Sequence, residues 1–381
     1  MSKSVKYGMV GGDIKAFIGD VHRKAINFDT RAKLVAGCFS IDQGLNVATG
    51  EEYSVDSSRV YDDYKAMAKA ESTRDDGIDF VVITVPNHVH YEICKEFLEA
   101  GIHVVCEKPL CFEVWQAEEL VKLSKEKNLI LAVTYSYTGY TMVKVMREMI
   151  QNGDIGDVIT LSGEFAQEWL LDQLDPSGES KELSIWRMDP KYAGISNSMG
   201  DLGTHAEQMI HYVTGLKMKR LLATTDTFGK PLDFNAYAIM EYENGAKGTL
   251  WSSQIAAGKL NGLLIRIYGT KGSLEWDQHY PDYLRFTQKN KPPQMLSRGT
   301  GYLTGEAAST SRLPFGHPEG LFVGFANLYK NIISTVAKLK TGQQPTKEDL
   351  DFPTAQDGLN GVKFVHAVVE SAKKDSAWIT L

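Results

Sequence analysis

The sequence holds one lysine whose surroundings suit chemistry at a hydroxyl group. Lys108 stands in the run Cys106-Glu107-Lys108-Pro109-Leu110, directly after an apolar stretch that predicts a strand. Ligands of open parallel sheets bind at the carboxyl ends of the strands, where an ammonium can donate hydrogen bonds to a substrate hydroxyl or a developing oxyanion. The proline that follows fixes the turn. Taken alone, such a lysine is more often a solvated residue at the end of a strand.

An aspartate and a histidine form a second candidate pair. Asp201 and His205 are four residues apart, so on a helix their side chains share one face. The intrinsic pKa of an imidazole suits proton transfer near neutral pH. The spacing therefore indicates an acid–base site, while a purely structural helix histidine stays open as the alternative.

A glycine-rich turn follows the first predicted strand and is typical of phosphate binding. The run Gly11-Gly12-Asp13-Ile14-Lys15-Ala16 fits the ends of the G-x-G-x-x-G/A spacing, whose backbone N–H groups hold a pyrophosphate at a helix N-terminus. Asp13 occupies the middle position, where its carboxylate would repel phosphate and could cap the same N–H groups. Lys15 could offset that charge. A helix capped by Asp13, with no nucleotide, is the competing interpretation.

The ends of the next two strands supply further cofactor candidates. After the second strand, the acid that usually binds the adenosine ribose is replaced by Phe39 or Ser40, and Asp42 is either that acid displaced or a turn residue. No Arg or Lys follows to hold a 2′-phosphate, which favours NAD over NADP. The third strand ends in Thr84-Val85-Pro86-Asn87-His88-Val89-His90. The two histidines are two residues apart and diverge, so we expect no metal site.

Apolar runs alternate with helix-like stretches over the first part of the chain. The runs are continuous, as in strands buried on both faces of a parallel sheet. Residues 1–135 are therefore predicted to form a doubly wound α/β domain with right-handed crossovers. The predicted strands are Val5–Val10, Leu34–Phe39, Phe80–Val85, His103–Cys106 and Leu129–Thr134, and the predicted helices are Ile14–Phe28, Asp62–Lys69, His88–Ala100 and Phe112–Lys127.

Strands dominate the rest of the chain, and residues 136–381 are predicted to form an α+β domain with an open, mainly antiparallel sheet. The turns Glu243-Asn244-Gly245 and Thr270-Lys271-Gly272 are typical of hairpins, and residues 288–308 are the most loop-like stretch. The predicted strands are Val158–Phe165, Arg220–Thr227, Tyr237–Tyr242, Lys247–Ile255, Gly262–Tyr268 and Ser273–Trp276, and the predicted helices are Thr141–Gln151, Phe322–Lys340 and Thr354–Lys374.

Three of these motifs, in this order, resemble the Gfo/Idh/MocA oxidoreductase family. They are the Pro86-Asn87 and His90 run, Glu107-Lys108-Pro109, and the glycine-rich stretch from Gly194 to His205 with its G-D-x-G-x-H ending. The resemblance covers nearly the whole chain and implies an N-terminal Rossmann domain followed by a substrate-binding and oligomerisation domain. The catalytic residues that it implies are Lys108, Asp201 and His205; the NAD-binding residues are Gly11, Gly12, Asp13, Ile14, Lys15, Ser40, Thr84, Pro86, Asn87, His90, Glu107, Lys108 and Arg187.

The resemblance also implies how the catalytic residues divide the work. His205 would remove the hydroxyl proton, Lys108 would hold the same oxygen, and Asp201 would orient the histidine or the lysine. The departures from the family pattern are Asp13 in the glycine-rich turn and Gln208, at a place where many members carry an acid. Neither of them alters the expected catalytic set.

Aromatic and polar side chains near these motifs suit a sugar or cyclitol ring, which is apolar on its C–H face and polar at its rim. The expected substrate contacts are Lys108, Tyr137, Trp186, Asp201, His205 and His317. His317 lies in a Gly-His-Pro-Glu-Gly turn that could cover a cleft or could be a plain surface turn. Most aromatic residues in a chain of 381 residues simply pack in cores.

Composition restricts the partners and the location. A net charge of −7 without a basic cluster argues against nucleic-acid binding. The N-terminus lacks the apolar core of a signal peptide and no run is long enough to span a membrane. The four cysteines include no C-x-x-C pair, which fits a reducing compartment. We expect a cytoplasmic homodimer or homotetramer, since an exposed sheet suits self-association.

Three functions fit this sequence. The first is NAD-dependent hydride transfer at a ring hydroxyl of a sugar, glycoside or cyclitol such as inositol. The second is redox-neutral glycoside cleavage, in which bound NAD oxidises the sugar transiently. The third is a non-catalytic sensor of nucleotides, against which Lys108 and His205 argue because a sensor needs neither.

Overall fold

The computed structural model describes residues 5–174, 185–299 and 301–381, without the side chains of residues 185 and 186. The chain divides into two compact units. The first comprises Met1–Gly139 and Leu321–Leu359, and the second comprises Tyr140–Gly320 and Asn360–Leu381.

A five-stranded parallel sheet forms the centre of the first unit, as the sequence predicts. Its strand order is β2-β1-β3-β4-β5. β2 lies on one side of β1, and β3 begins the run of strands on the other side. Every residue of the third strand is buried, because helices cover both faces of such a sheet. The strands are β1 (Val5–Gly11), β2 (Ala32–Cys38), β3 (Phe80–Thr84), β4 (His103–Cys106) and β5 (Leu131–Val133).

Five helices lie between these strands in chain order and connect them. They are α1 (Phe17–Asn27), α2 (Gln43–Glu52), α3 (Tyr64–Thr73), α4 (His90–Glu99) and α5 (Val114–Glu126). The first helix begins at Phe17 rather than at Ile14, because the backbone forms a separate turn over Asp13 first. Gly101 follows α4 with a φ of +80°, the left-handed conformation that a glycine cap adopts.

A nine-stranded mixed sheet forms the second unit, in the order β13-β12-β11-β10-β6-β9-β8-β7-β14. All neighbours are antiparallel except β6 and β9, and both predicted hairpins join adjacent strands. The strands are β6 (Val158–Ala166), β7 (Met218–Asp226), β8 (Asn235–Tyr242), β9 (Lys247–Ser253), β10 (Gly262–Gly269), β11 (Gly272–Asp277), β12 (Tyr283–Gln288), β13 (Gln294–Ser297) and β14 (Ile379–Thr380).

One face of this sheet is covered by helices and the other is open. Along β8, Ala236, Ala238 and Met240 are buried, whereas Tyr237 and Ile239 between them are exposed. This period-two alternation is typical of a strand that packs on a core with one face only. The helices of the unit are α6 (Thr141–Gln151), α7 (Pro190–Ala193), α8 (Thr204–Thr214) and α9 (Gly305–Thr310), and α6 and α8 contact the sheet.

Two long helices close the chain, α10 (Leu321–Lys340) and α11 (Ala355–Lys373). Phe325, Tyr329 and Ile332 of α10 join the core formed by Val21 and Ile26 of α1. Residues 321–359, placed in the second domain by the sequence, therefore belong to the first compact unit, because the apolar face of α10 is buried there. Among the residues that the structure describes, none of the helices has the length and apolar character that a membrane span needs.

Candidate active site

The glycine-rich turn is built for close backbone approach. Gly11 and Gly12 both have positive φ angles, +79° and +73°. A Cβ on Gly12 would lie 2.8 Å from Met9 Sδ and 2.9 Å from Thr84 Oγ1, and a Cβ on Gly19 would lie 2.2 Å from the Cα of Gly12. Glycine at these places lets the turn pack tightly on α1 and lets a ligand reach the backbone. The turn therefore fits a dinucleotide pyrophosphate.

Asp13 bends the backbone before the first helix. Its Oδ1 accepts a hydrogen bond from the N–H of Lys15 at 2.9 Å, and its carbonyl oxygen accepts one from Ala16 at 2.8 Å. The N–H of Ile14 donates to Thr49 Oγ1 at 3.3 Å. The Asp13 carboxylate thus accepts the hydrogen bond of the Lys15 N–H, a group near the expected phosphate position, as the capping interpretation predicts. The side chains of Ile14 and Lys15 are exposed beside it.

The neighbouring strand ends carry the other expected cofactor contacts. Ser40 Oγ accepts from the N–H of Asp42 at 3.3 Å, and Asp42 Oδ1 accepts from the N–H of Leu45 as the N-cap of α2. Thr84 is buried against the carbonyl oxygen of Val10, while Pro86 is exposed and Asn87 is half-buried.

His90 supports the turn that carries the lysine. Its ring is completely buried, with Nδ1 2.8 Å from the carbonyl oxygen of Pro109 and Nε2 2.9 Å from that of Val85. Burial lowers the pKa of His90, although the hydrogen bonds to the two carbonyl oxygens oppose this shift. Both ring nitrogens of His90, which the sequence places among the cofactor contacts, face backbone atoms inside the unit. Its role is to tie the two motif loops together.

Glu107 is held as a carboxylate beside Lys108. Its Oε1 accepts from His22 Nε2 at 2.8 Å and from Thr134 Oγ1 at 2.5 Å, and its Oε2 accepts from the N–H of Lys108 at 3.3 Å. Burial alone would raise the pKa of Glu107, but the hydrogen bond and charge of His22, the hydrogen bond of Thr134 and the charge of Lys108 lower it to about 2. A fixed negative charge therefore accompanies the lysine ammonium.

In the second unit, Asp201 lies in a π-helical turn rather than in a regular α-helix. The turn spans Met199–Gly203 and continues directly into α8. His205 is the second residue of α8. Such turns are rare and often occur at functional sites. The expected common face of one α-helix is thus corrected to two adjoining segments of different pitch. Asp201 Oδ2 accepts from Gln254 Nε2 at 3.2 Å and lies 3.7 Å from Nε of Arg187.

Asp233, which the sequence analysis did not identify, holds the π-helical turn in place through hydrogen bonds to its backbone. Its carboxylate accepts from the N–H groups of Asn197 at 2.8 Å and Met199 at 2.9 Å. Burial raises the pKa of Asp233 even though these hydrogen bonds oppose the shift. The signal is absent from the local sequence because Asp233 is more than thirty residues away. The ring of the buried His205 packs 6.0 Å from that of Phe165.

The expected substrate contacts occupy different settings. Tyr137 is buried in a short helix after β5. Arg187 is half-buried over the ring of Trp169, while the side chain of Trp186 lies outside the described residues. His317 is exposed on a loop whose backbone is fastened by Arg298, which donates to the carbonyl oxygens of Leu313 and His317.

Comparison with known proteins assigns both units. Residues 5–135 match an oxidoreductase family with an NAD-binding Rossmann fold, and residues 143–275 match the GFO/IDH/MocA C-terminal domain. Over 384 aligned residues the chain is 36% identical to the uncharacterised oxidoreductase YfiI of Bacillus subtilis, covering 100% of this chain and 97% of that protein. The chain belongs to the Gfo/Idh/MocA family. The expected family and fold class are thereby confirmed, and this member is an NAD-binding oxidoreductase.

Solved structures of the family share the whole fold. A crystal structure of an inositol dehydrogenase homolog from Azotobacter vinelandii, complexed with NAD+, superposes with a TM-score of 0.95 at 37% identity, covering 100% of this chain and 98% of that one. The same homolog complexed with NADH and myo-inositol gives a TM-score of 0.93 at 36% identity, with the same coverage. Levoglucosan dehydrogenase of Pseudarthrobacter phenanthrenivorans is 26% identical over 99% of this chain and 98% of its own length.

Proposed function

We propose that this family member transfers a hydride between NAD and the ring carbon that bears a secondary hydroxyl of a cyclitol, sugar or glycoside. The observation that carries the proposal is the similarity over the full chain to an inositol dehydrogenase homolog crystallised with NADH and myo-inositol. The relative that acts on levoglucosan, by its name, supports an anhydrosugar as a related substrate class.

In the proposed mechanism, NAD supplies the hydride acceptor or donor when it is bound. Lys108 donates a hydrogen bond to the reacting oxygen and stabilises its negative charge. His205 takes the hydroxyl proton as general base during oxidation and returns it during reduction. Asp201 contacts the side chains of Arg187 and Gln254 through its Oδ2, and we propose that these contacts restrict how the two side chains are oriented. Glu107, ionised beside Lys108, accepts a hydrogen bond from the backbone N–H of the lysine and so helps to hold the turn that carries it.

The residues proposed to hold NAD have the right character in the structure. Gly11 and Gly12 leave the backbone open to a pyrophosphate, and Lys15 places an ammonium near it. Ser40 borders the expected ribose position, and Pro86, Asn87 and Arg187 remain accessible. The lack of a base after β2 supports NAD in preference to NADP.

Redox-neutral glycoside cleavage uses the same cofactor and the same residues, so net NADH formation separates the two functions. We expect NADH absorbance to appear when the purified enzyme and NAD meet an inositol, a free sugar or levoglucosan. Release of an aglycone from a glycoside without net NADH would favour cleavage instead. Tight NAD binding without turnover of any substrate in the panel would favour the sensor.

We also propose that the protein is a homodimer or homotetramer in a reducing compartment such as the cytoplasm. The open face of the second sheet carries Tyr237, Ile239 and Trp251, with the rings of Tyr237 and Trp251 stacked 6.2 Å apart. A contiguous apolar surface of this kind is typical of an interface. All four cysteines are free thiols, three of them buried.

A further inference from the structure

Behind the lysine turn, a line of hydrogen-bonded side chains leads from Tyr329 through His22 to Glu107, and the proposed mechanism does not use the first two of them. The Tyr329 hydroxyl lies 2.5 Å from His22 Nδ1, and His22 Nε2 lies 2.8 Å from Glu107 Oε1. Tyr329 is 1% exposed and His22 is 0% exposed, whereas the Glu107 side chain is 13% exposed. The line thus starts in the core and ends at the partly open carboxylate beside Lys108.

The chemistry of the carboxylate fixes the direction of its hydrogen bond to the histidine. An ionised carboxylate accepts hydrogen bonds only, so we assign a proton to Nε2 of His22, which donates to Glu107 Oε1. The other ring nitrogen, Nδ1, is hydrogen-bonded to the tyrosine hydroxyl. Burial raises the pKa of Tyr329 far above its ordinary value, so this hydroxyl keeps its proton. Tyr329 therefore holds the ring in the orientation in which His22 donates to Glu107.

Each group comes from a different element of the unit. His22 lies on α1, Glu107 follows β4, Thr134 follows β5 and Tyr329 lies on α10. The His22 ring also packs edge-on against Phe325 at 4.9 Å and against Tyr329 at 5.7 Å. The ring has no freedom to turn, which makes it a rigid support rather than a mobile proton carrier.

We propose that His22, oriented by Tyr329, is a positioning residue for Lys108: it fixes the Glu107 carboxylate, and Glu107 in turn fixes the backbone N–H of the lysine. The inference rests on the proposed role of Lys108 in the reaction. The groups that face Glu107 are His22 from α1, Thr134 after β5 and its own neighbour Lys108, with Tyr329 behind the histidine.

The test compares two tyrosines of one core. Tyr329→Phe removes the hydroxyl that orients His22. Tyr7→Phe is the matched control, because Tyr7 is equally buried in that core and its hydroxyl has no hydrogen-bond partner among the described residues. His22→Gln offers a second variant, since its amide can still donate towards Glu107, whereas His22→Leu cannot donate at all.

The first readout needs neither cofactor nor substrate. The folded-state pKa of Glu107 is lowered to about 2, so its stabilising contribution is complete above the ordinary value of 4.5 and is lost as the pH falls through 2. We expect Tyr329→Phe to raise that pKa, so urea unfolding should show a loss of stability at pH 7 that shrinks as the pH falls from 4.5 towards 2. A loss that is the same at every pH would overturn the proposal.

The second readout is turnover of myo-inositol with NAD across the same pH range. We expect kcat to fall about tenfold in Tyr329→Phe, the effect of losing one buried hydrogen bond, with an acid limb at higher pH than in the parent. KM and NAD affinity should change little, His22→Gln should retain more activity than His22→Leu, and Tyr7→Phe should match the parent. A pH-independent loss, or equal behaviour of the two tyrosine variants, contradicts the positioning role.

Lys108→Ala in the same series separates this inference from the proposed function. Unchanged turnover in Lys108→Ala would disprove the function assigned to the lysine, whatever His22 does. Loss of turnover in Lys108→Ala, together with parental pH profiles in the His22 and Tyr329 variants, would disprove only the positioning role. If the parent does not oxidise myo-inositol, the urea experiment alone decides whether His22 and Tyr329 fix Glu107.

Discussion

Nδ1 of His90 lies 2.8 Å from the carbonyl oxygen of Pro109, on the turn that presents Lys108. The other ring nitrogen lies 2.9 Å from the carbonyl oxygen of Val85, so one buried imidazole spans the ends of β3 and β4. Backbone carbonyl groups that are buried without a donor cost free energy. This histidine therefore stabilises the place where the two motif loops meet.

His90→Leu should destabilise the protein by about 1–3 kcal/mol, because it leaves a buried carbonyl group without its donor and removes the ring that packs between the two loops. We also expect a lower kcat, since the turn that carries Lys108 loses its support. Urea unfolding and NADH-forming turnover measure the two effects. His88→Leu, an exposed neighbour in the same run, serves as the control and should change stability by less than about 0.5 kcal/mol. Equal stability of the two variants would contradict the supporting role of His90.

Lys108→Ala and His205→Ala should each lower turnover by about two to four orders of magnitude, as expected for removal of an oxyanion donor or a general base. NAD affinity should stay close to that of the parent, because the pyrophosphate turn is elsewhere in the chain. Steady-state kinetics and fluorescence titration with NAD measure the two quantities. His279→Ala, which removes an exposed histidine of the second unit, should be as active as the parent. Normal turnover in both active-site variants would remove the proposed mechanism.

Much of the fold follows from local patterns in the sequence. The strand His103–Cys106 has its predicted bounds, because it is a short apolar run between clear turn residues. Helix α2 escaped prediction because Gly44 and Gly50 interrupt it and its apolar residues follow no helical period. Within the loop-like stretch 288–308 the structure has β13, which pairs with the neighbouring β12, and the start of α9, which packs on the distant α6.

Fewer of the site's features than of the fold's could be predicted from the sequence. Lys108, Asp201 and His205 are visible as motifs because they are close to glycines and prolines of fixed spacing. His22 and Tyr329 are 307 residues apart, and only the packing of α10 on α1 brings them together. Asp233 and the π-helical turn likewise depend on contacts between segments, which spacing along the chain cannot reveal.

Asp13→Asn should tighten NAD binding, because it removes a negative charge near the expected pyrophosphate while its amide oxygen can still accept from the N–H of Lys15. Titration at low and at physiological salt measures the effect, which should be larger at low salt. Asp63→Asn is the control: Asp63 caps α3 through the same kind of contact, to the N–H of Lys65 at 2.9 Å. If the two substitutions leave NAD affinity equally unchanged, the Asp13 carboxylate does not face phosphate.

Gly19→Ala should disturb the nucleotide turn, since its new Cβ would lie 2.2 Å from the Cα of Gly12 and 2.9 Å from its carbonyl carbon. Backbone cannot yield as a flexible side chain can, so we expect a loss of about 1–3 kcal/mol in stability together with weaker NAD binding. The control is Gly44→Ala in α2, where the new Cβ meets nothing closer than Asp42 Oδ1 at 3.3 Å. That change should be neutral or stabilising by up to about 1 kcal/mol.

Ile239→Asp should dissociate the proposed oligomer, because it places a charge in the middle of the open sheet face next to Tyr237. Desolvating an unpaired carboxylate at an interface costs several kcal/mol, whereas an exposed carboxylate on a monomer costs almost nothing. Sedimentation velocity or light scattering reports the mass of the particle.

Trp115→Asp provides the comparison for that experiment, because Trp115 is a large exposed residue on α5 of the first unit. We expect it to keep the parental mass. A monomeric parent would contradict self-association altogether. If the Ile239→Asp variant keeps the mass of an oligomeric parent, the interface lies on another surface. An unpaired carboxylate buried at the centre of an apolar interface would have dissociated the oligomer.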